Sequence, residues 1–224
     1  MLPLRTLTVL LLVASTSAQT THLVGPGGFV HIQGAINAAT NGDVIVVQTG
    51  TYAPFTLTKN LTITAAPGAT VDVSALSVVS ASVTVVQPPQ RAIITGLRFL
   101  APAYFLFVPS QVQVLGGTTH FADCVFESTR GTSSPQPPAA ALRVQDADVA
   151  LQRCFVFGGG VIGTLLPGAG AGCDGLSAQN ANVAAVDTVF LGGNLHWDFS
   201  GHGGHGIVLD NASLHLANCI AIGG

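Results

Sequence analysis

The chain has 224 residues, 48% of them hydrophobic and only 8% charged, with 7 Lys and Arg against 10 Asp and Glu and a formal net charge of -3. So apolar and weakly charged a composition excludes a disordered chain, and the shortage of cations argues against a nucleic-acid partner. Aromatics make up 6%, so a core must be built from Val, Ile, Leu and Ala.

The first 18 residues read as a secretory leader. Arg5 gives a basic start, Leu7 to Ala14 ("LTVLLLVA") an apolar stretch, and "STSA" before Gln19 a small-residue cleavage site. The stretch is too short to span a bilayer, and no later segment offers about 20 unbroken apolar residues. The expected mature protein is therefore residues 19–224, secreted or at the cell surface, with no membrane segment after cleavage. Export permits disulfides among the four cysteines without requiring them.

Next comes "FVHIQGAINAATNGDVIVVQTGTYAPFTLTKNLTITA" (Phe29 to Ala65). Ile32, Ala35, Ile36 and Ala39 have helical spacing, and Asn41-Gly42 is expected to stop the helix. Leu61 to Val86 reads as short β-runs separated by turns, and "RAIITGLRF" (Arg91 to Phe99) keeps the same rhythm.

From there the chain repeats. "LRVQDADVALQRCFVFGG" (Leu142 to Gly159), "LSAQNANVAAVDTVFLGG" (Leu176 to Gly193) and "IVLDNASLHLANCIAIGG" (Ile207 to Gly224) align without gaps. "VQVLGGTTHFADCVFEST" (Val112 to Thr129) fits the same frame. In the first body, Leu142, Val144, Val149, Leu151, Cys154 and Val156 are the inward candidates. Their spacing of two within each run is that of strands. Asp146, Asn180 and Asn211 share a turn place, and these residue types tolerate the left-handed backbone of a sharp corner. Each body thus predicts three short strands, one corner and a Gly-Gly exit. Stacked bodies make a parallel β-helix, each coil burying its inward residues on the next, with the helix near residue 32 plugging the open end.

Two further places carry meaning. Cys124, Cys154, Thr188 and Cys219 form an inward column of small groups, and Cys124 and Cys154 sit one coil apart, within reach of a disulfide. Asp123, Arg153, Asp187 and Asn218 form a ladder of alternating charge. It reads as mutual neutralisation on a solvated edge in preference to a charged-sugar site.

The segment "IQGAINAATNGDVIVVQTGTY" (Ile32 to Tyr52) with "LTKNLTITA" (Leu57 to Ala65) resembles the cap and first coils of secreted right-handed parallel β-helix proteins of the pectate-lyase-like group. The resemblance implies an all-β, single-stranded right-handed solenoid with a short capping helix over 19–224. It leaves function open, because that group holds polysaccharide lyases, glycoside hydrolases, esterases, adhesins and members without activity. No distinctive cap follows Gly224, so the domain is expected either to continue in a longer chain or to be covered by a partner.

Three inserts leave one corner of the repeat: residues 130–141, 160–175 and 194–206. Loops on a rigid scaffold commonly carry function. The third holds the only Trp, Trp197, with His196, Asp198, His202 and His205. Trp197, His196, His202 and the outward Arg143 are the candidate glycan contacts, since an aromatic ring offers a flat apolar face with a polar edge. His196, Asp198, His202 and His205 also offer zinc donors, but their spacing matches no zinc motif, so neither metal nor cofactor is expected. No outward carboxylate cluster suits calcium.

"GHGI" (Gly204 to Ile207) resembles the Gly-His-Gly element of polygalacturonases, and "CDGL" (Cys173 to Leu176) their Asp-containing element. The resemblance makes Asp174, Asp198 and His205 the catalytic candidates. The consecutive Asp-Asp pair of that family is missing, and inverting hydrolysis needs two placed carboxylates. Both motifs are better read as coil entrances, with glycine giving the backbone freedom. The leading expectation is a non-catalytic exported scaffold, glycan-binding or adhesive through loops on one flank, with an extracellular polysaccharide as the candidate partner. The alternative is a polysaccharide lyase or glycoside hydrolase. Oligomeric state is not legible. Asn60-Leu61-Thr62 and Asn211-Ala212-Ser213 are glycosylation triplets in a eukaryotic host.

Overall fold

The computed structural model describes residues 18–74, 84–100, 112–128, 140–159, 172–193 and 203–224. The expected leader lies outside these residues except for Ala18.

The described chain opens with β1 (Thr21–Val24) and a short helix, α1 (Ile32–Ala38). It then winds through β2 (Val44–Val47), β3 (Gly50–Tyr52) and β4 (Thr56–Leu57). The next turns are β5 (Thr62–Ala65), β6 (Val71–Val73) and β7 (Thr84–Val86), then β8 (Arg91–Thr95), β9 (Leu97–Leu100) and β10 (Val112–Leu115). There follow β11 (Thr118–Ala122), β12 (Val125–Glu127) and β13 (Leu142–Gln145), then β14 (Asp148–Gln152), β15 (Phe155–Phe157) and β16 (Leu176–Gln179). The last are β17 (Asn182–Val186), β18 (Val189–Leu191), β19 (Ile207–Asp210), β20 (Ser213–Ala217) and β21 (Ile220–Ile222).

These strands form three parallel sheets of 8, 7 and 6 strands. The first runs β1-β2-β5-β8-β11-β14-β17-β20, the second β3-β6-β9-β12-β15-β18-β21, the third β4-β7-β10-β13-β16-β19. Each coil gives one strand to each sheet, which makes the molecule a right-handed parallel β-helix, the hand favoured by parallel crossovers.

The sequence alignment of the bodies is also the register. Leu142 pairs with Leu176, and Leu176 with Ile207; Val149 pairs with Val183, and Val183 with Leu214. Leu142, Val144, Val149, Leu151, Cys154 and Val156 are all buried, as the two-residue spacing requires. Inside the coil the core is more aromatic than composition suggests. Phe99 stacks on Phe126 at 5.2 Å, and Phe121 meets Phe126 edge-on at 5.1 Å.

Each body turns at two left-handed corners, not the one expected. Asp146, Asn180 and Asn211 have φ of 51°, 48° and 48°, the corner read from sequence. Asp123, Arg153, Asp187 and Asn218 have φ of 54°, 51°, 52° and 54°, so the charge ladder is itself the second corner. One pair of its charges is neutralised: Arg153 Nε and Nη2 donate to the Asp123 carboxylate at 2.7 and 2.8 Å, while the neutral Asn218 amide gives Asp187 a hydrogen bond. The amide of Asn211 likewise donates to Asn180 Oδ1 at 2.7 Å. Polar side chains on successive coils thus satisfy one another where the backbone bends.

Helix α1 buries Ile32, Ala35 and Ile36 against the first coil. It ends at Ala38, before Asn41-Gly42, because Ala39 already turns to an extended backbone at φ -69°, ψ 155°. Asp43 then ties the cap down. Its buried carboxylate accepts from the backbone N–H of Thr20 and Thr40, from Thr40 Oγ1, and pairs with His22 Nε2 at 3.1 Å. Those bonds hold Asp43 far below the usual carboxylate range, the Thr40 backbone N–H contributing most. At the other end Leu209 and Leu216 occupy inward places yet are exposed on the last coil.

Candidate functional site

The inserts share one corner. Residues 75–83, 101–111, 129–139, 160–171 and 194–202 each follow a strand of the second sheet and precede a strand of the third. The turns from the third sheet to the first, and from the first to the second, stay short in the repeat bodies: Asp146-Ala147 and Arg153-Cys154 each span one. Length variation is therefore confined to one edge, beside the outer face of the third sheet.

Glycine makes the base of that edge. The Cys173 N–H donates to the Gly159 carbonyl, Gly193 to Cys173, Gly204 to Gly193, and Gly224 to Gly204. Exits and entrances of successive coils interleave in one backbone ladder, closing each excursion at its neck. A Cβ on Gly193 would lie 2.0 Å from the Gly159 oxygen, and one on Gly204 2.0 Å from the Cys173 oxygen. Gly175 and Gly206, at the coil entrances, are required for the same reason. Neither has a left-handed φ; a Cβ would meet the Gly206 oxygen at 2.6 Å and the Ile222 oxygen at 2.7 Å. Close approach selects glycine there, and not the conformational freedom expected from sequence.

Asp174 and His205 stand at these entrances on consecutive coils, and the structure brings them together. Asp174 Oδ1 accepts the His205 backbone N–H at 2.7 Å and lies 3.1 Å from His205 Nδ1. The carboxylate is mostly covered, 14% exposed, while the imidazole is 74% exposed. In the tautomer that donates Nδ1–H to the carboxylate, Nε2 is the unprotonated ring nitrogen of this exposed imidazole. The arrangement can orient a base or an acceptor, but it also caps the turn, as the coil-entrance reading has it.

Arg143 lies exposed on β13, on the outer face of the third sheet, as its outward place predicts. Its Nη2 donates to Gln145 Oε1 at 3.3 Å, and one coil on Gln179 Nε2 donates to Asp210 Oδ2 at 2.9 Å. Gln145, Gln179 and Asp210 are polar neighbours that the sequence reading passed over. They share one place in three aligned bodies, which was the available signal. Trp197, His196, Asp198 and His202 lie outside the described residues. Among the described residues no group of three or more His, Cys, Asp or Glu converges as metal donors would.

The cysteine column is internal. Cys124 and Cys154 are buried and Cys219 is half-buried, with no disulfide joining them. Cys124 and Cys154 are not joined; Cys154 donates to the Phe121 and Gln152 carbonyls, and burial pushes the Cys124 thiol well above its ordinary pKa.

No protein-family model matches the chain, and no curated protein sequence matches it. Solved structures do. The chain resembles pectate-lyase-like β-helices in fold. A pectate lyase, Pel9A, is 12% identical with a TM-score of 0.42, over 91% of this chain and 78% of that one. A pectin methylesterase solved in complex with a hexasaccharide is 14% identical with a TM-score of 0.40, over 91% of this chain and 67% of that one. The product of open reading frame 18 of Geobacillus virus E2 is 13% identical with a TM-score of 0.34, over 84% of this chain and 44% of that one. The architecture stands on the strand pairing above, and the chemistry of the site stands on this chain's residues.

Proposed function

We propose that the protein is an exported, non-catalytic β-helix scaffold that binds an extracellular polysaccharide along the edge between its second and third sheets. The observation that carries the reading is that, after the α1 cap, the long connections between strands all run from the second sheet to the third, at one edge. A rigid repeat with constant bodies and variable excursions on one side is what a display surface requires. Arg143, Gln145 and Gln179 add hydrogen-bonding groups on the adjoining face. Trp197, with His196 and His202, supplies the aromatic and polar contacts of the third excursion.

Retention on immobilised neutral and uronate-containing glycans tests it. One glycan should retain the wild type, and Trp197→Ala and Arg143→Ala should each weaken retention without changing the unfolding midpoint. Retention by none of the glycans, or variants that bind like wild type, contradicts the assignment.

A second reading, a carbohydrate-active enzyme, is favoured by the Asp174–His205 contact alone. It would use the exposed Nε2 of His205 as base, with Asp174 orienting the ring. Turnover lost in His205→Ala would carry it.

A further inference from the structure

We propose that Gln19, once it becomes the first residue, closes to pyroglutamate. The proposal rests on the export reading, because it needs cleavage after Ala18. In the reaction the free α-amine attacks the side-chain Cδ of the same residue. A bond from the amine nitrogen to Cδ forms, the bond from Cδ to Nε2 breaks, and a proton from the attacking amine leaves with that nitrogen as ammonia. Nothing is oxidised or reduced, and no co-reactant is consumed. A terminal amine has an ordinary pKa of about 7.7 to 8, so a useful fraction is neutral and nucleophilic at neutral pH.

The structure leaves residue 19 free to do this. Among the described residues the backbone is first held one residue later: the Thr20 N–H donates to Asp43 Oδ1 at 2.9 Å, and the Thr20 carbonyl accepts from Val44 at 2.9 Å. Ring closure involves only rotations within Gln19, upstream of both bonds, so the cap need not move. Gln19 is exposed, and its Nε2 donates to the Gly42 carbonyl at the surface. When Nε2 leaves, that carbonyl turns to water, so no buried acceptor is orphaned.

The consequence bears on the cap. Thr20 and His22, the next residues in, are two of the partners that hold Asp43, and β1 is the terminal strand of the first sheet. An aminopeptidase working inward from a free Gln19 would remove them in turn. A lactam presents no free amine and stops that trimming at its first step.

The test is made on the full chain, expressed with its own leader and recovered after export. Intact mass and stepwise amino-terminal degradation are measured for the wild type and for Gln19→Ala. The wild type should have the mass of residues 19–224 less one ammonia, with an unreadable amino end; Gln19→Ala should read Ala-Thr-Thr. The variant should also be trimmed by an added aminopeptidase that leaves the wild type intact. A wild type that reads Gln-Thr-Thr at full mass overturns the cyclisation and leaves export standing. A chain that starts elsewhere, or stays in the cell, overturns the cleavage on which the proposal rests.

Discussion

Gly193→Ala tests the interleaved neck, because there one methyl group has nowhere to go. The new Cβ would sit 2.0 Å from the Gly159 oxygen, 2.5 Å from the Gly159 carbonyl carbon and 2.7 Å from the Gly158 oxygen. All three are backbone atoms, so no side chain can rotate away. Restoring ordinary contact moves the two arms apart by more than an ångström, which strains the Gly193-to-Cys173 and Gly204-to-Gly193 hydrogen bonds that close the neck. Overpacking costs about 1 to 3 kcal/mol, and a backbone hydrogen bond contributes about 1 kcal/mol. Together these put the loss at roughly 3 to 5 kcal/mol. Gly34→Ala is the control. Gly34 lies inside α1, and its nearest atom, Phe29 Cδ1, is 3.4 Å away. Alanine there should stabilise by about 0.5 to 1 kcal/mol through helix propensity. Urea unfolding of both variants, with slopes compared to detect changes in the unfolded state, gives the two numbers. A Gly193→Ala that unfolds within about 0.5 kcal/mol of wild type would refute the neck as described.

Other substitutions probe the core, the corners and the cap. Phe126→Ala removes the ring that stacks on Phe99 and meets Phe121, and should cost about 3 to 5 kcal/mol by urea unfolding. Arg153→Gly relieves a left-handed backbone at φ 51° while giving up an exposed ion pair with Asp123. These two effects are small and oppose each other, so its midpoint should stay near wild type. The Asp43 clamp contributes stability above the ordinary carboxylate range, near pH 4, and fades as pH falls toward its lowered folded value. Acid titration of stability should therefore show a decline below about pH 4 that flattens in Asp43→Asn, which is also less stable at neutral pH. Cys124 and Cys154 should resist a thiol reagent in the native protein and react on unfolding, as buried thiols do.

Much of this fold can be read from the sequence because its signals are periodic. The bodies beginning at Leu142, Leu176 and Ile207 repeat their inward residues in register, so aligning them amounts to pairing their strands. Asp146, Asn180 and Asn211 mark a corner because their chemistry suits a left-handed backbone. The second corner was harder, since Arg153 is not a corner residue by type. Gly96, one coil before Asp123, and the flanking Asp and Asn residues were the clue. Glycine at positions 175 and 206 was placed correctly but for the wrong reason, because close approach of a neighbouring coil has no local signature. Asp43 was passed over because two of its partners, Thr20 and His22, reach it from the far side of α1, a contact with no local signature. Asp174 and His205 each stand two residues before an aligned body, so the repeat frame puts them on consecutive coils; only the bond between their side chains needed the structure.

The most direct test of the functional account is turnover on the same glycan panel used for retention. New reducing ends and unsaturated-product absorbance would be followed together for wild type and His205→Ala. The account predicts retention of one glycan with no new ends and no absorbance from either protein. Turnover by the wild type that disappears in His205→Ala would contradict it and place the chemistry at the coil entrance beside Asp174.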